Sequence, residues 1–158
     1  TEKEEKENLL KKAEEGDVKA METVAEHFEV GRAGFDEDVK SSFHWYDRAR
    51  EAGSVLGMAS VGEMLCNGEG TRKNVKLGMF YIGSAAALGS DFGLYFLGMI
   101  HYWGLHKYPE NKRVAIDLLQ KCLSSDCAYQ DMTEEYNNHA RTTLKDLLEA
   151  SLPEADDK

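Results

Sequence analysis

Proline is nearly absent: the 158-residue chain holds two, Pro109 and Pro153. Proline removes a backbone donor and breaks helix interiors, so its scarcity leaves most of the chain free to be helical. Cysteine is as sparse. Cys66, Cys122 and Cys127 are odd in number, and the last two lie five residues apart, not at the CxxC spacing of a metal or redox site. They read as reduced, partly buried thiols. That predicts an intracellular, reducing compartment, either cytoplasm or an organelle lumen. The absence of an Asn-x-Ser/Thr sequon agrees. The chain begins at Thr1 rather than Met, so a targeting signal further upstream stays open. No apolar run approaches the roughly 20 residues needed to cross a bilayer. A lysine/arginine block is missing too, and the formal charge is −10. Nucleic-acid binders display a basic patch or stripe, so neither nucleic acid nor membrane is expected as a partner. A basic partner, or plain solubility, suits the acid excess.

Catalytic signatures are also lacking. His27, His44, His101, His106 and His139 are scattered, and none forms HExxH. "GSDFG" at 89–93 has its serine in the wrong place for a nucleophile elbow. "NGEGTRKN" at 67–74 lacks the spacing of a phosphate-binding loop and reads as a turn. No catalytic residue, metal ligand or cofactor is assigned.

What the chain does have is a repeat. "AMETVAEHFEVG", "GMASVGEMLCNG" and "GLYFLGMIHYWG" align on their glycines, from Ala20, Gly57 and Gly93. Each opens on a small residue, places an aliphatic residue fifth (Val24, Val61, Leu97) and a small one sixth (Ala25, Gly62, Gly98), and closes on Gly31, Gly68 or Gly104. Second halves follow: "SFHWYDRAREAG", "GMFYIGSAAALG" and "AIDLLQKCLSSD". Their closing positions Gly53, Gly89 and Asp126, with Gly16 before them, are 37, 36 and 37 residues apart. Spacings of three, four and seven within each half are helical. Each half presents an apolar stripe that needs a neighbour. Three antiparallel helix pairs stacked in one dimension satisfy that need.

Ala20, Val24, Ala25, Phe28, Gly31, Gly34, Asp38, Trp45, Tyr46, Ala49 and Gly53 give this pattern in full. So marked, it resembles the Sel-1-like repeat (SLR) family, a branch of the tetratricopeptide-like α-solenoids. The resemblance implies an all-α, right-handed solenoid forming one domain over residues 1–150. Repeats are expected at 17–53, 54–89 and 90–126. A helix at 4–16 resembles the second half of a preceding repeat, and a capping helix is expected at 131–150. Asp131 or Thr133 is its N-cap candidate, and Met132, Tyr136, Ala140, Leu144 and Leu147 form its apolar face. The tail 151–158 is expected to be loose. The third repeat departs most, with His101 for the usual Tyr, Leu118 for Trp and Asp126 for Gly. Some relatives carry a disulfide per repeat and an attributed β-lactamase activity. This chain has neither paired cysteines nor the S-x-x-K signature, so that activity does not carry over.

The resemblance further implies a non-enzymatic protein-interaction module or adaptor that takes a peptide or helix of a partner in the concave face. By analogy with tetratricopeptide-like solenoids the first helices line that face. Glu22, Glu26 and Glu29 fall there in the first repeat, Glu63 in the second, and Tyr95, Met99, Tyr102 and Trp103 in the third. The groove thus grades from acidic to aromatic and suits a basic and apolar segment. Two alternatives stay open for these residues: the aromatics pack under the 131–150 helix, or the glutamates form an ordinary solvated face. For the whole chain, the alternatives are a structural subunit of a permanent complex, buried along its convex face, or a hydrolase using groove groups such as Glu63, His101 and Tyr102.

Overall fold

A computed structural model of the chain describes residues 1–152; the predicted tail beyond residue 152 lies outside the described residues. Eight α-helices and no strand make up the described residues. They are α1 (Glu2–Glu14), α2 (Val18–Val30), α3 (Val39–Glu51), α4 (Val55–Asn67), α5 (Val75–Ala87), α6 (Asp91–Trp103), α7 (Lys112–Cys122) and α8 (Glu134–Ala150). Each helix packs against the next, giving the solenoid that the repeat calls for.

Helix starts are written into the sequence at fixed offsets. Asp17, Ser54 and Ser90 cap α2, α4 and α6, and each side chain accepts from the backbone N–H three residues on, at Ala20, Gly57 or Gly93. Asp38, Asn74 and Asn111 do the same for α3, α5 and α7. These are the short polar residues preferred at that position. The first helices stop at Gly31, Gly68 and Gly104, all left-handed with φ of 63°, 70° and 65°, a conformation glycine adopts without a Cβ penalty.

Small residues set how closely the helices lie. A Cβ added at Gly78 in α5 would sit 2.6 Å from the Cys66 sulfur and from the Gly62 carbonyl oxygen of α4. One added at Gly93 would sit 2.6 Å from the Ala86 nitrogen. The apolar stripes close over these contacts as two clusters. One gathers Val24, Trp45 and Tyr46 with Val61 of α4, and the other gathers Ile82, Phe96, Ile100 and Leu119 with Leu147 of α8. The eroded third repeat differs at its end. The helix α3 continues two residues past Ala49, and α5 two past Ala85, but α7 stops at the equivalent Cys122. There the chain leaves the helix two residues earlier and enters an irregular strap, 123–133.

Two expected boundaries shift. The first helix starts at Glu2 rather than residue 4, because Thr1 and Glu4 form a reciprocal capping box. The last starts at Glu134 rather than 131, with Thr133 as N-cap. Asp131 and Met132 belong to the strap, where Asp91 holds their backbone. The three cysteines are free, Cys66 and Cys122 buried and Cys127 half-buried.

Gly78→Ala is expected to lose about 1–3 kcal/mol through overpacking. Gly83→Ala, five residues further along the same helix and with nothing within 4 Å of an added Cβ, is expected to gain up to about 1 kcal/mol from helix propensity. Urea denaturation of the two variants checks the pair.

Candidate functional site

The helices α2, α4 and α6 put their exposed flanks into one groove of about 860 Å³, and the strap and α8 form its far side. Seven carboxylates line it: Glu22, Glu26, Glu29, Glu63, Asp131, Glu134 and Glu135. Lys19 and Arg32 are the lysine and arginine among the lining residues. Leu56, Met64, Phe92, Tyr95 and Tyr136 supply apolar surface between them.

The four predicted glutamates all reach this groove, in two different conditions. Three are engaged. Glu22 accepts from Lys19 at 3.1 Å and from the Ser54 hydroxyl at 2.7 Å. Glu26 pairs with Arg32. Glu29 accepts from the Tyr46 hydroxyl at 3.1 Å. Its carboxyl is held above the ordinary range, by loss of water against the groove wall and by Glu26 and Glu69, with the Tyr46 bond opposing. Glu63 has no attractive partner. Burial, then Glu69 and Glu29, push its carboxyl up to about 7. Asp131 is raised as well, by burial and by Glu22 and Asp91, against the pull of Lys19.

The four predicted aromatic-end residues separate. Tyr95 is buried under α8, edge-on to Tyr136 at 5.4 Å. Its hydroxyl lies 2.7 Å from His139 Nδ1, and burial followed by Glu63 pushes it up to about 12. Met99 is buried beside it. Tyr95 therefore packs under the last helix and Met99 lies in the same core cluster, although both still contribute to cavity walls. Trp103 is 62% exposed and borders a smaller recess that continues from the groove. Tyr102 lines neither space. It packs half-buried against the core and edge-on to Trp103 at 4.7 Å, because its place on α6 turns it away from α4. Ala59 of α4 is fully buried, and α4 packs against α3, α5 and α6.

The set Glu63, His101 and Tyr102 is not assembled. His101 sits on the α7 side of α6, its ring 6.1 Å from Tyr108 and its carbonyl accepting from the Asn111 N–H. It lines neither the groove nor the recess. "NGEGTRKN" forms the α4–α5 connection, as a turn reading requires.

One residue that shapes the site escapes sequence reasoning. Asp91, at the start of α6 and buried, accepts from the backbone N–H of Phe92 (2.8 Å), Asp131 (3.0 Å) and Met132 (3.1 Å). Its own N–H donates to the Tyr129 carbonyl. These bonds lash the strap to α6 and set α8 across the groove. A hint lay in an acidic residue directly after the Ser90 cap, but its partners lie 40 and 41 residues away.

A model of the Sel1 repeat matches residues 18–54, 55–90 and 92–121. No curated protein matches the chain. Among solved structures, a Sel1 repeat protein from Oxalobacter formigenes superposes with a TM-score of 0.58 at 22% identity, over 90% of this chain and 98% of that one. Its likeness shows the fold. A protective antigen of uropathogenic Escherichia coli strains displaying an SLR fold is similar at 17% identity and a TM-score of 0.40, over 89% of this chain and 40% of its own. A Pseudomonas aeruginosa protein is similar at 17% and 0.41, over 88% and 72%.

Two outcomes follow from this geometry. Glu63 binds its proton more tightly folded than unfolded, so its ionisation removes stability as pH rises from about 4.5 through about 7. The stability of Glu63→Gln relative to wild type should therefore rise by about 1–3 kcal/mol between acid and mildly alkaline solution, as read by urea denaturation across the pH range. Asp91→Ala should cost about 1.5–3 kcal/mol or more by orphaning buried donors. Hydrogen exchange should quicken in α8 while α2–α5 keep their protection.

Proposed function

The chain belongs to the Sel1 repeat family, whose repeats serve as protein-interaction modules, and on that premise we propose that its groove binds a basic and apolar segment of a partner protein. The observation that carries this reading is the imbalance of seven carboxylates against one lysine and one arginine around a concave, partly aromatic surface. Like charges in a confined cleft focus a field that attracts the opposite sign. Burial first, and neighbouring carboxylates second, hold Glu29, Glu63 and Asp131 above their ordinary range, and a cationic segment would offset both. The protein acts on this account as an adaptor without chemistry of its own, in keeping with a groove where Glu63, His101 and Tyr102 do not converge.

A second reading draws on the convex side. Leu77, Phe80 and Leu88 of α5 and its cap are 38%, 65% and 52% exposed and follow one helical stripe. Such a face suits a structural subunit whose outer helices are covered in a permanent complex.

The test is selection from a random peptide display library. Selected peptides should be rich in lysine or arginine interspersed with apolar residues. Their affinity should fall about tenfold, with a weaker salt dependence, in the double variant Glu26→Lys/Glu134→Lys. Acidic or uncharged winners, or affinity indifferent to the double variant, would sink the groove reading. Loss of peptide binding in Phe80→Ser instead would move the interface to the convex face.

A further inference from the structure

Past Glu63 the groove runs into a recess of about 270 Å³. That is below the roughly 300–1,000 Å³ of pockets for drug-sized ligands and on the scale of one side chain. The helix α4 brings Glu63 to it; α6 brings Tyr95, Met99 and Trp103; α8 brings Tyr136. No lysine or arginine lines it among the described residues. Its carboxylate has carboxylates, not cations, for charged neighbours.

We infer that this recess is the anchor site for a single cationic side chain, lysine or arginine, of the bound segment, held by Glu63 and by the rings of Tyr95, Tyr136 and Trp103. The inference rests on the groove reading above and narrows it to one subsite. Three features of the recess agree on a cation. Aromatic faces attract positive charge, and more strongly when water is displaced. A half-buried carboxylate without a partner gains a short, charge-assisted hydrogen bond from an incoming N–H. The apolar walls at Met99 and Phe96 suit the aliphatic stem of a lysine or arginine, whose charged head alone needs polar company.

The groups around Glu63 favour the same occupant. Glu29 comes from α2, Tyr46 from α3, Cys66 from its own helix, Glu69 from the loop after α4, Tyr95 from α6, His106 from the loop after α6, and Tyr136 and His139 from α8. The histidines are the groups among these that can carry positive charge. Burial, and then Lys73, lower His106 and disfavour its charged form. His139 is engaged with the Tyr95 hydroxyl. With the Glu63 carboxyl near 7, entry of a cation drives it to the ionised form and releases a proton.

NMR titration of the intact chain tests the subsite directly, through the Trp103 indole N–H and the Met99 methyl. The probes are N-acetyl-lysine methylamide, N-acetyl-arginine methylamide and, as an uncharged match in shape, N-acetyl-norleucine methylamide. At least one cationic probe should shift both signals saturably, with norleucine about tenfold weaker. Glu63→Gln should weaken that probe about tenfold, and the surface variant Trp103→Ala by about two- to fivefold. The inference is overturned if norleucine matches the cations, if Glu63→Gln binds as wild type, or if neither signal saturates. Display-selected basic peptides that respond to Glu26→Lys/Glu134→Lys while the recess signals stay still would defeat the subsite and leave the groove reading intact. Saturable lysine binding in the recess without any basic preference among selected peptides would defeat the groove reading alone.

Discussion

The close approach of α4 and α5 is the constraint on which the rest of the molecule depends. Gly62 and Gly78 lie where any side chain would meet the facing helix, with 2.6 Å from a Gly78 Cβ to the Gly62 carbonyl oxygen. Backbones that near to each other leave Ile82 and Cys66 fully enclosed and fix how α4 faces α6. That relation places Glu63 opposite Tyr95 and makes both a groove and a recess possible. The acids do not create the groove. They occupy flanks that the packing of small residues leaves uncovered, and there Glu29, Glu63 and Asp131 lose water and meet neighbouring carboxylates.

The last helix does two jobs at once. It covers the apolar end of the solenoid through Ala140 and Leu147, as the terminus of any stacked array requires. It also contributes Tyr136, His139, Glu134 and Glu135 to the groove, so that the concave face has a far wall. Asp91 is what lets one helix serve both ends. A buried carboxylate satisfied by three backbone N–H groups is a specific fastening, and it fixes where the strap crosses the end of α6. A looser tether would let α8 cap the stack without giving the groove its far wall.

The repeat register, the helix pairs and the offsets of the capping residues are legible in the sequence because they depend on contacts within about four residues or on periodic burial. Glu22, Glu26, Glu29 and Glu63 reach the concave side for the same reason: helical spacing fixes which flank of a helix a residue occupies. Tyr95 and Trp103 share that flank, yet one is buried and the other exposed. Their difference depends on the path of α8, which is set by hydrogen bonds across 40 residues that no local pattern encodes. The contrast between Glu63 and its three engaged neighbours is equally non-local. Ser54, Tyr46 and Arg32 happen to reach the other acids, and nothing reaches Glu63. Fold and groove thus follow from periodicity, while the character of the site follows from which long-range partners are present or missing.

The groove holds a half-buried carboxylate, Glu63, with no cationic partner among the described residues. A carbon-13 titration of the Glu63 side-chain carboxyl in the free protein measures this at the atom concerned. The midpoint should lie near 7, far above the ordinary 4.5. A midpoint at the ordinary value would contradict it, because Glu63 would then be solvated or already paired.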